Sequence, residues 1–298
     1  MSKPIFTKKF WAYGAGFYFT AVGGTYLYMR SQDNGENNQL PDHQADGSDQ
    51  RRQQVFNALA DRYDDEIGMD ETVMGLSLLR RWHLRRARGE VLEVAVGTGR
   101  NFHCYPPGCR VTATDACPNM AQKALEKAKA LGGAGGAKVV GVGVMDGTAL
   151  AFPSGRFDTV VDTHGLCSVA EPRRLLREMS RVARPDGQIL LLEHGRSHYG
   201  WLNGLLDKYA SRHLEKWGCS WNRDIEGLVR EAGLSVESSS RWHFGTTYLL
   251  VCRKKEGTAA KEEGEREEGN GKEEKQPQQR IAKEEEGPAP RRRGGGNK

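Results

Sequence analysis

The sequence predicts an α/β fold in which helices alternate with the strands of a mostly parallel sheet. The run Val91–Val96 is short and nearly continuously apolar, as expected for a strand buried on both faces. A glycine turn at Gly97 and Gly99 follows this strand directly, and Asp115 ends the next predicted strand. Glycine at such a turn lets a ligand approach the backbone closely. We therefore expect a ligand site where these strands end, as in other open α/β sheets.

The elements can be placed in order along residues 90–252. We also expect a short helix to open at Arg100 and Asn101, directly after the glycine turn. The last two strands are too close in sequence for a crossover helix, so they should pair antiparallel. The prediction is a sheet of seven strands with the last one reversed and with helices on both faces. Strands are predicted at 90–95, 110–114, 138–143, 157–162, 187–193, 234–240 and 246–252, and helices at 118–131, 172–183, 201–216 and 222–232.

Residues 10–29 contain no charged side chain and predict a transmembrane anchor. Twenty helical residues span about 30 Å, the hydrocarbon thickness of a bilayer, and aromatic residues stand at both ends as in interfacial belts. A cleaved secretory signal and a weakly apolar surface segment are the alternatives. The basic residues within 1–9 place the N-terminus on the cytosolic or matrix side of the membrane.

The remaining chain divides by composition. Residues 30–50 are polar and form a flexible linker. The folded domain is expected at 51–253, with a helical pair at 51–88 that breaks near Gly68, followed by the core at 89–253. Residues 254–298 mix acidic and basic side chains with no aromatic residue, which predicts a disordered tail.

The composition narrows the function classes. A net charge of +5 over 298 residues is too small to indicate a nucleic-acid partner by itself. The six cysteines contain no Cys-x-x-Cys pair and no zinc-site spacing, so we expect reduced core cysteines and no metal. His194 and His198 are four residues apart, but Gly195 and the strand end argue against a helical metal pair.

Five arginines end the helical pair: Arg80, Arg81, Arg85, Arg86 and Arg88. The first interpretation is a solvated helix face, where cations favour the C-terminal end of the helix dipole. The alternative is a patch that contacts anionic lipid head groups. Contact with RNA is a third interpretation, although aromatic residues are not interleaved with the arginines.

The glycine turn reads Glu93-x-Ala95-x-Gly97-x-Gly99, which resembles motif I of the class I S-adenosylmethionine-dependent methyltransferases, usually Glu/Asp-x-Gly-x-Gly-x-Gly. Ala95 departs from that pattern. The phrase from Phe56 to Asp64 resembles the helical lid of many such enzymes. The resemblance implies a Rossmann-like fold and S-adenosylmethionine as the cofactor.

Further motifs narrow the resemblance: Leu166–Val169, Arg184–Gln188, Glu193–Ser197 and Trp217–Ile225. With the anchor, they look like the membrane-anchored methyltransferase-like proteins of the fungal mitochondrial inner membrane. The pattern is also similar to the membrane-bound thiol methyltransferases of animals and, more distantly, to the ubiquinone/menaquinone C-methyltransferases. The likeness covers about residues 50–253 plus the anchor.

The resemblance implies a set of cofactor-binding residues. The loop should hold the methionine end of the cofactor with Glu93 behind it, Asp115 should accept the ribose hydroxyls, and Asp146 should accept the adenine amine. For Asp146, a helix N-cap is the alternative. The full set is Glu93, Ala95, Val96, Gly97, Thr98, Gly99, Asn101, Asp115, Ala116, Met120, Asp146, Gly147, Thr163 and His164.

His164 and His194 are the candidate catalytic residues because they follow the strand ends at which reacting groups gather. A neutral imidazole with a pKa near the working pH could remove a proton from the acceptor. The alternative is that both side chains only hydrogen-bond to backbone.

We therefore expect a single-pass membrane enzyme that moves a methyl group from S-adenosylmethionine to a small lipophilic acceptor, such as a thiol or a quinone-type ring. The mitochondrial inner membrane is the expected location, with the endoplasmic reticulum as the alternative. A non-catalytic assembly factor of the inner membrane and an RNA methyltransferase are the rival functions.

Overall fold

The computed structural model describes residues 49–132 and 136–255. The anchor predicted at 10–29, the linker up to residue 48 and the tail from residue 256 lie outside the described residues. Across these two described ranges, no helix has both the length and the apolar character needed to cross a membrane.

Three helices precede the sheet, where the sequence predicted two. They are α1 (Asp49–Leu59), α2 (Tyr63–Val73) and α3 (Leu76–Leu84). Gly68, the predicted break, lies inside α2, where its carbonyl accepts a bond from the Thr72 hydroxyl. The breaks fall at residues 60–62 and at Gly75, whose left-handed backbone (φ 70°) begins α3. Left-handed backbone interrupts a right-handed helix and is easiest for glycine.

The sheet has seven strands and confirms the predicted topology. The strand order is β3-β2-β1-β4-β5-β7-β6, and β7 runs antiparallel to both β5 and β6 while the first five strands run parallel. The chain order reverses between β1 and β4, which is where ligands bind in open α/β sheets. The strands are β1 (Glu90–Val94), β2 (Arg110–Asp115), β3 (Lys138–Val144), β4 (Phe157–Thr163), β5 (Ala183–His194), β6 (Leu234–Trp242) and β7 (Thr247–Lys254).

Helices cover both faces of the sheet, as predicted. They are α4 (Pro118–Leu131), α5 (Pro172–Val182), α6 (Gly200–Trp217) and α7 (Ile225–Glu231). Neighbouring strand residues point to opposite faces: Leu92 packs in the core with α5 and α7, and Val91 packs in the core with α3 and α4. Burial of both faces explains why the strand sequences are apolar throughout.

The short helix predicted to open at Arg100 and Asn101 does not form. Residues 97–104 make consecutive turns, in which Gly99 N–H donates to Val96 O (3.1 Å) and Cys104 N–H donates to Asn101 O (2.8 Å). Gly99 has a left-handed backbone, with φ 79°, so this loop cannot continue as a right-handed helix.

Candidate active site

A cavity of about 1030 Å³, including its open mouth, lies at the carboxyl ends of β1, β2 and β4 and beneath α1 and α2. Every residue predicted to bind the cofactor lines this cavity except Gly99. The lining residues from that set are Glu93, Ala95, Val96, Gly97, Thr98, Asn101, Asp115, Ala116, Met120, Asp146, Gly147, Thr163 and His164.

The loop after β1 depends on left-handed backbone at Ala95 (φ 48°), Gly97 (φ 57°) and Gly99 (φ 79°). This explains why the related motif has glycine at all three positions, and an alanine there costs about 1–2 kcal/mol. A Cβ at Gly97 would meet no protein atom within 4 Å, whereas a Cβ at Gly99 would lie 2.5 Å from the Phe102 ring. The absence of a side chain at Gly97 therefore leaves space for a ligand in the cavity. The absence of one at Gly99 lets the Phe102 ring pack against the loop.

Asp115 ends β2 and faces the loop. Its Oδ2 accepts from Gly97 N–H (2.8 Å) and its Oδ1 accepts from Cys117 N–H (2.8 Å). Burial raises the pKa of this carboxyl, and the two backbone donors act in the opposite direction. The backbone bonds fix both oxygens at the cavity wall, where each keeps a further lone pair for a ligand hydroxyl.

Glu93 lies behind the loop, as predicted. Its Oε1 accepts from Asn101 Nδ2 (2.8 Å) and its Oε2 accepts from the Tyr105 hydroxyl (2.7 Å). Asn101 Nδ2 also donates to Thr163 Oγ1 (3.1 Å), so the bonds run from β1 through the loop to the end of β4. Burial raises the pKa of Glu93 to about 7 despite the bonds from Tyr105 and Asn101.

Two acidic residues of α2 bind side chains of the loop that follows β1. Glu71 accepts from Arg80 (2.6 Å) and from Arg100 (3.0 Å), and Asp64 accepts from Thr98 Oγ1 (2.6 Å). Charged pairs of this kind are strong when they are shielded from water. We call Asp64, Glu71, Arg80, Thr98 and Arg100 the lid latch; sequence reasoning did not find it.

The latch corrects one sequence prediction. The sequence predicts for Arg80, as for four other arginines, a solvated helix face or alternatively contact with lipid, but Arg80 is only 5% exposed and donates to both Glu71 and Asn101 Oδ1 (2.6 Å each). It therefore cannot reach a membrane surface. The other members, Arg81, Arg85, Arg86 and Arg88, are exposed.

Asp146 and Gly147 follow β3 at the opposite side of the cavity. Asp146 Oδ1 accepts from both the N–H and the hydroxyl of Thr148 (2.8 Å each), which makes a side-chain-capped turn. A turn follows Asp146, so the alternative of a helix N-cap is wrong. A Cβ at Gly147 would lie 2.7 Å from Leu175 Cδ1, so glycine permits the close approach of α5.

An apolar surface separates Asp115 from Asp146. Ala116, Cys117, Met120 and Met145 all line the cavity here, and Met120 is buried at the start of α4. A flat aromatic ring system placed on this surface would lie between the carboxylates of Asp115 and Asp146, which can accept hydrogen bonds from groups at its edges. The predicted adenosine contacts of Ala116 and Met120 are therefore compatible with their positions.

His164 lines the cavity, whereas His194 lies behind it. The ring centroids are 4.9 Å apart, and His194 Nε2 lies 2.7 Å from Cys219 Sγ. Burial, together with the charges of His194 and Arg80, lowers the pKa of His164 to about 3. The expectation of a base with a pKa near the working pH is therefore wrong for His164, because burial penalises its charged form.

Sequence reasoning also missed the lid wall of the cavity. Phe56 of α1 and Tyr63 and Ile67 of α2 line it, and the rings of Phe56 and Tyr63 meet edge to face at 6.4 Å. The sequence from Phe56 to Asp64 predicted a helical lid, but it did not show which of its side chains face the cavity. These aromatic and aliphatic groups give the lid side of the cavity an apolar surface beside its polar lining residues.

Comparison with known proteins agrees with this architecture. Residues 92–191 match the family model described as a methyltransferase domain. The phosphatidylethanolamine N-methyltransferase of Cereibacter sphaeroides is 37% identical over 171 residues, which cover 57% of this chain and 81% of that protein. A SAM-dependent methyltransferase from Thermotoga maritima has the same fold, with a TM-score of 0.51, 18% identity, and coverage of 68% of this chain and 100% of that one.

Two other relatives are longer than the matched region. The mitochondrial methyltransferase OMS1 of Saccharomyces cerevisiae is 34% identical over 224 residues, covering 68% of this chain and 46% of that protein. The human thiol S-methyltransferase TMT1B is 44% identical over 162 residues, covering 52% of this chain and 62% of that protein. The chain thus spans about half to three fifths of these two relatives.

The family follows from the sheet topology, the loop after β1 and the extensive match to the Cereibacter sphaeroides enzyme. The chain belongs to the class I S-adenosylmethionine-dependent methyltransferases, and its cofactor is S-adenosylmethionine.

Proposed function

We propose that this protein is a membrane-anchored methyltransferase that moves the methyl group of S-adenosylmethionine to the thiol of a small lipophilic molecule. The observation that carries the proposal is the combination of an apolar lid wall, formed by Phe56, Tyr63 and Ile67, with a weakly basic His164 at the same cavity. The first feature suits a lipophilic acceptor. The second favours an acceptor that loses its proton easily.

The cofactor would lie along the strand ends. Ala95, Gly97 and Thr98 would surround its methionine end, Asp115 would accept the ribose hydroxyls, and Asp146 would accept the adenine amine. Thr163 and His164, at the end of β4, would then lie beside the sulfonium. Hydroxyl donors at Asp115 and an amine donor at Asp146 match the acceptor character of both carboxylates.

Methyl transfer requires alignment more than acid–base assistance. The acceptor sulfur attacks the methyl carbon from the side opposite the sulfonium, and a new carbon–sulfur bond forms while the old one breaks. S-adenosylmethionine, when bound, would supply this methyl group from its sulfonium, and its sulfur would keep the electron pair of the broken bond. The thiol proton leaves to water before the attack.

The pKa of His164 favours a thiol over a hydroxyl acceptor. The thiol of a cysteine side chain has a pKa of about 8.5, so a thiol of that acidity is already a few per cent thiolate at neutral pH. A phenol-type hydroxyl, with a pKa of about 10, needs a stronger base than an imidazole with a pKa of about 3. The name of the human relative, a thiol S-methyltransferase, agrees with this choice. The quinone-type acceptor is the second candidate, and a phospholipid amine becomes a third through the Cereibacter sphaeroides relative.

The anchor at 10–29 would hold the cavity close to a bilayer, where lipophilic acceptors concentrate. The name of the relative OMS1, a mitochondrial methyltransferase, supports a mitochondrial location, and within the mitochondrion we propose the inner membrane. Lipid contact by Arg81, Arg85, Arg86 and Arg88 remains part of this proposal. Because Arg80 is buried, the RNA alternative loses one of its five contact residues.

The test is methyl transfer by the full chain reconstituted in phospholipid vesicles with methyl-labelled S-adenosylmethionine. A lipophilic thiol of cysteine-like acidity should be methylated, and the alcohol with the same carbon skeleton should not. The thiol proposal would be contradicted if a quinol, or phosphatidylethanolamine in the vesicles, became labelled while the thiol did not. Cofactor binding without transfer to any of these acceptors would favour a non-catalytic assembly factor.

A further inference from the structure

Two cysteines and one histidine converge behind the cavity wall. Cys167 lies in the loop after β4, His194 ends β5, and Cys219 follows α6, so three separate elements supply them. Their Sγ, Nε2 and Sγ atoms all lie within 4.8 Å of one another, and the Nε2–Sγ distance between His194 and Cys219 is 2.7 Å. Cys167 is 1% exposed and Cys219 is 5% exposed.

The loops that carry the two cysteines are held together independently of these side chains. Arg52 Nη1 donates to the backbone carbonyls of Cys167 (3.2 Å) and Gly218 (2.8 Å), and Ser220 N–H donates to the Cys167 carbonyl (2.8 Å). Arg223 donates to the carbonyls of Leu166 and Val169 on either side. The backbone segments that carry the two cysteines are therefore held in place by these contacts, as in a preorganised metal site.

We propose that Cys167, His194 and Cys219 bind one Zn²⁺ ion. Thiolate and imidazole are the ligands that zinc selects, and a Cys₂His set is one of its known three-ligand combinations. Two thiolates and a neutral imidazole also balance the charge of the ion, so the assembled site has no net charge. This matters in a buried position, where an uncompensated charge is costly.

The geometry needs only small side-chain movements. With zinc–sulfur bonds of about 2.3 Å and a zinc–nitrogen bond of about 2.0 Å, tetrahedral donor atoms lie about 3.5–3.8 Å apart. The present pairs extend from 2.7 Å to at most 4.8 Å, on both sides of that range. On binding, each thiol releases its proton to solvent, and the fourth position takes a water molecule or another ligand.

The ion would act as a cross-link next to the methyl-transfer site. It would tie the loop after β4, which carries His164 into the cavity wall, to the end of β5 and to the turn after α6. This consequence does not depend on which acceptor the enzyme uses. Zinc content can therefore be tested separately from methyl transfer.

The experiment measures zinc bound to the reduced full chain after equilibration with ZnCl₂ and removal of free metal. The wild-type protein should retain one zinc ion per chain. Cys219→Ser and His194→Ala should each weaken zinc binding roughly 100-fold or more, since even outer-shell partners are worth 10–100-fold. Cys104→Ser is the matched control, because Cys104 is also buried at 5% exposure but packs in the core cluster that contains Val91 and does not belong to the group of converging ligands. Equal loss in the control, or no zinc in the folded wild type, would overturn the proposal.

A second measurement uses the unmodified chain, so it does not depend on whether a variant folds. Co²⁺ added in place of zinc should produce intense thiolate-to-metal charge-transfer absorption and the visible bands of tetrahedral cobalt. Competition with Zn²⁺ should remove both signals at one equivalent. A weak spectrum of octahedral cobalt without charge-transfer absorption would show that the cysteines do not bind metal.

Discussion

Ala95 adopts a backbone conformation that lowers the stability of the folded protein. It has φ 48°, in the left-handed region that glycine adopts more easily. Ala95→Gly should therefore stabilise the folded protein by about 0.5–1 kcal/mol, because relief of about 1–2 kcal/mol of strain exceeds the added chain entropy. Equilibrium denaturation measures the change. Ala128→Gly inside α4 is the control and should destabilise by about 1 kcal/mol; loss of stability in both variants would refute the strain at Ala95.

Glu93 should make stability depend on pH. Its pKa is about 7 in the folded protein and 4.5 ordinarily, so the unfolded chain loses this proton first as the pH rises. The free energy of unfolding should consequently fall between pH 4.5 and 7, by up to about 3 kcal/mol from this group. Glu93→Gln should remove that share of the slope.

The measurement is urea denaturation at several pH values for wild type and Glu93→Gln. The comparison matters because burial also raises the pKa of Asp115, which contributes in the same direction. Parallel stability curves for the two proteins across this pH range would mean that Glu93 is ionised in the folded state throughout.

At the residue scale, local motifs could be predicted and buried charge networks could not. The positions of Gly97 and Asp115 follow from spacing along one βαβ unit. Arg80 looked like one of five equivalent arginines, yet it alone pairs with Glu71 beneath the lid. That distinction depends on which side of α3 faces the loop, and a nine-residue helix with two adjacent arginines does not show this from its sequence.

At the scale of elements, α2 is attached to the cofactor loop through the lid latch. Arg80→Ala should destabilise the protein by about 3 kcal/mol, because it removes one of the two arginine partners of the buried Glu71 and the only donor shown for Asn101 Oδ1 among the described residues. The neighbouring exposed Arg81→Ala should change stability by less than about 0.5 kcal/mol. Thermal and urea denaturation test both, and equal effects would show that the buried pair has no special importance.

The strands were easier to predict than the turns between them. All seven predicted strands exist, because apolar runs bounded by glycine and polar residues are a strong local signal. The helix expected after Gly99 was wrong because left-handed glycines at both 97 and 99 direct the chain into successive turns. Which glycine adopts which conformation depends on packing, such as that of Phe102 against Gly99.

At the scale of the whole molecule, the sheet gathers residues that are distant in sequence at one edge. The reversal between β1 and β4 brings the glycine loop, Asp115, Asp146 and His164 around a single cavity. The same convergence places Cys167, His194 and Cys219 together, which no sequence spacing suggested. The topology could be predicted because the family motifs occur in order along the chain. The approach of Cys167, His194 and Cys219 could not, because they come from three separate elements and only the folded structure brings them together.

The central claim is that this cavity binds S-adenosylmethionine, and calorimetric titration of the full chain tests it most directly. We predict micromolar binding at one site, abolished by Asp115→Ala, which removes the proposed ribose acceptor, and by Gly97→Arg, whose Cβ would meet no protein atom within 4 Å and whose longer side chain would occupy the cavity. Gly155→Arg is the matched control: Gly155 also has positive φ (68°) and open space at its Cβ, but it does not line the cavity. A folded wild-type chain that gives no binding heat, or an Asp115→Ala variant that binds as tightly as wild type, would contradict the account.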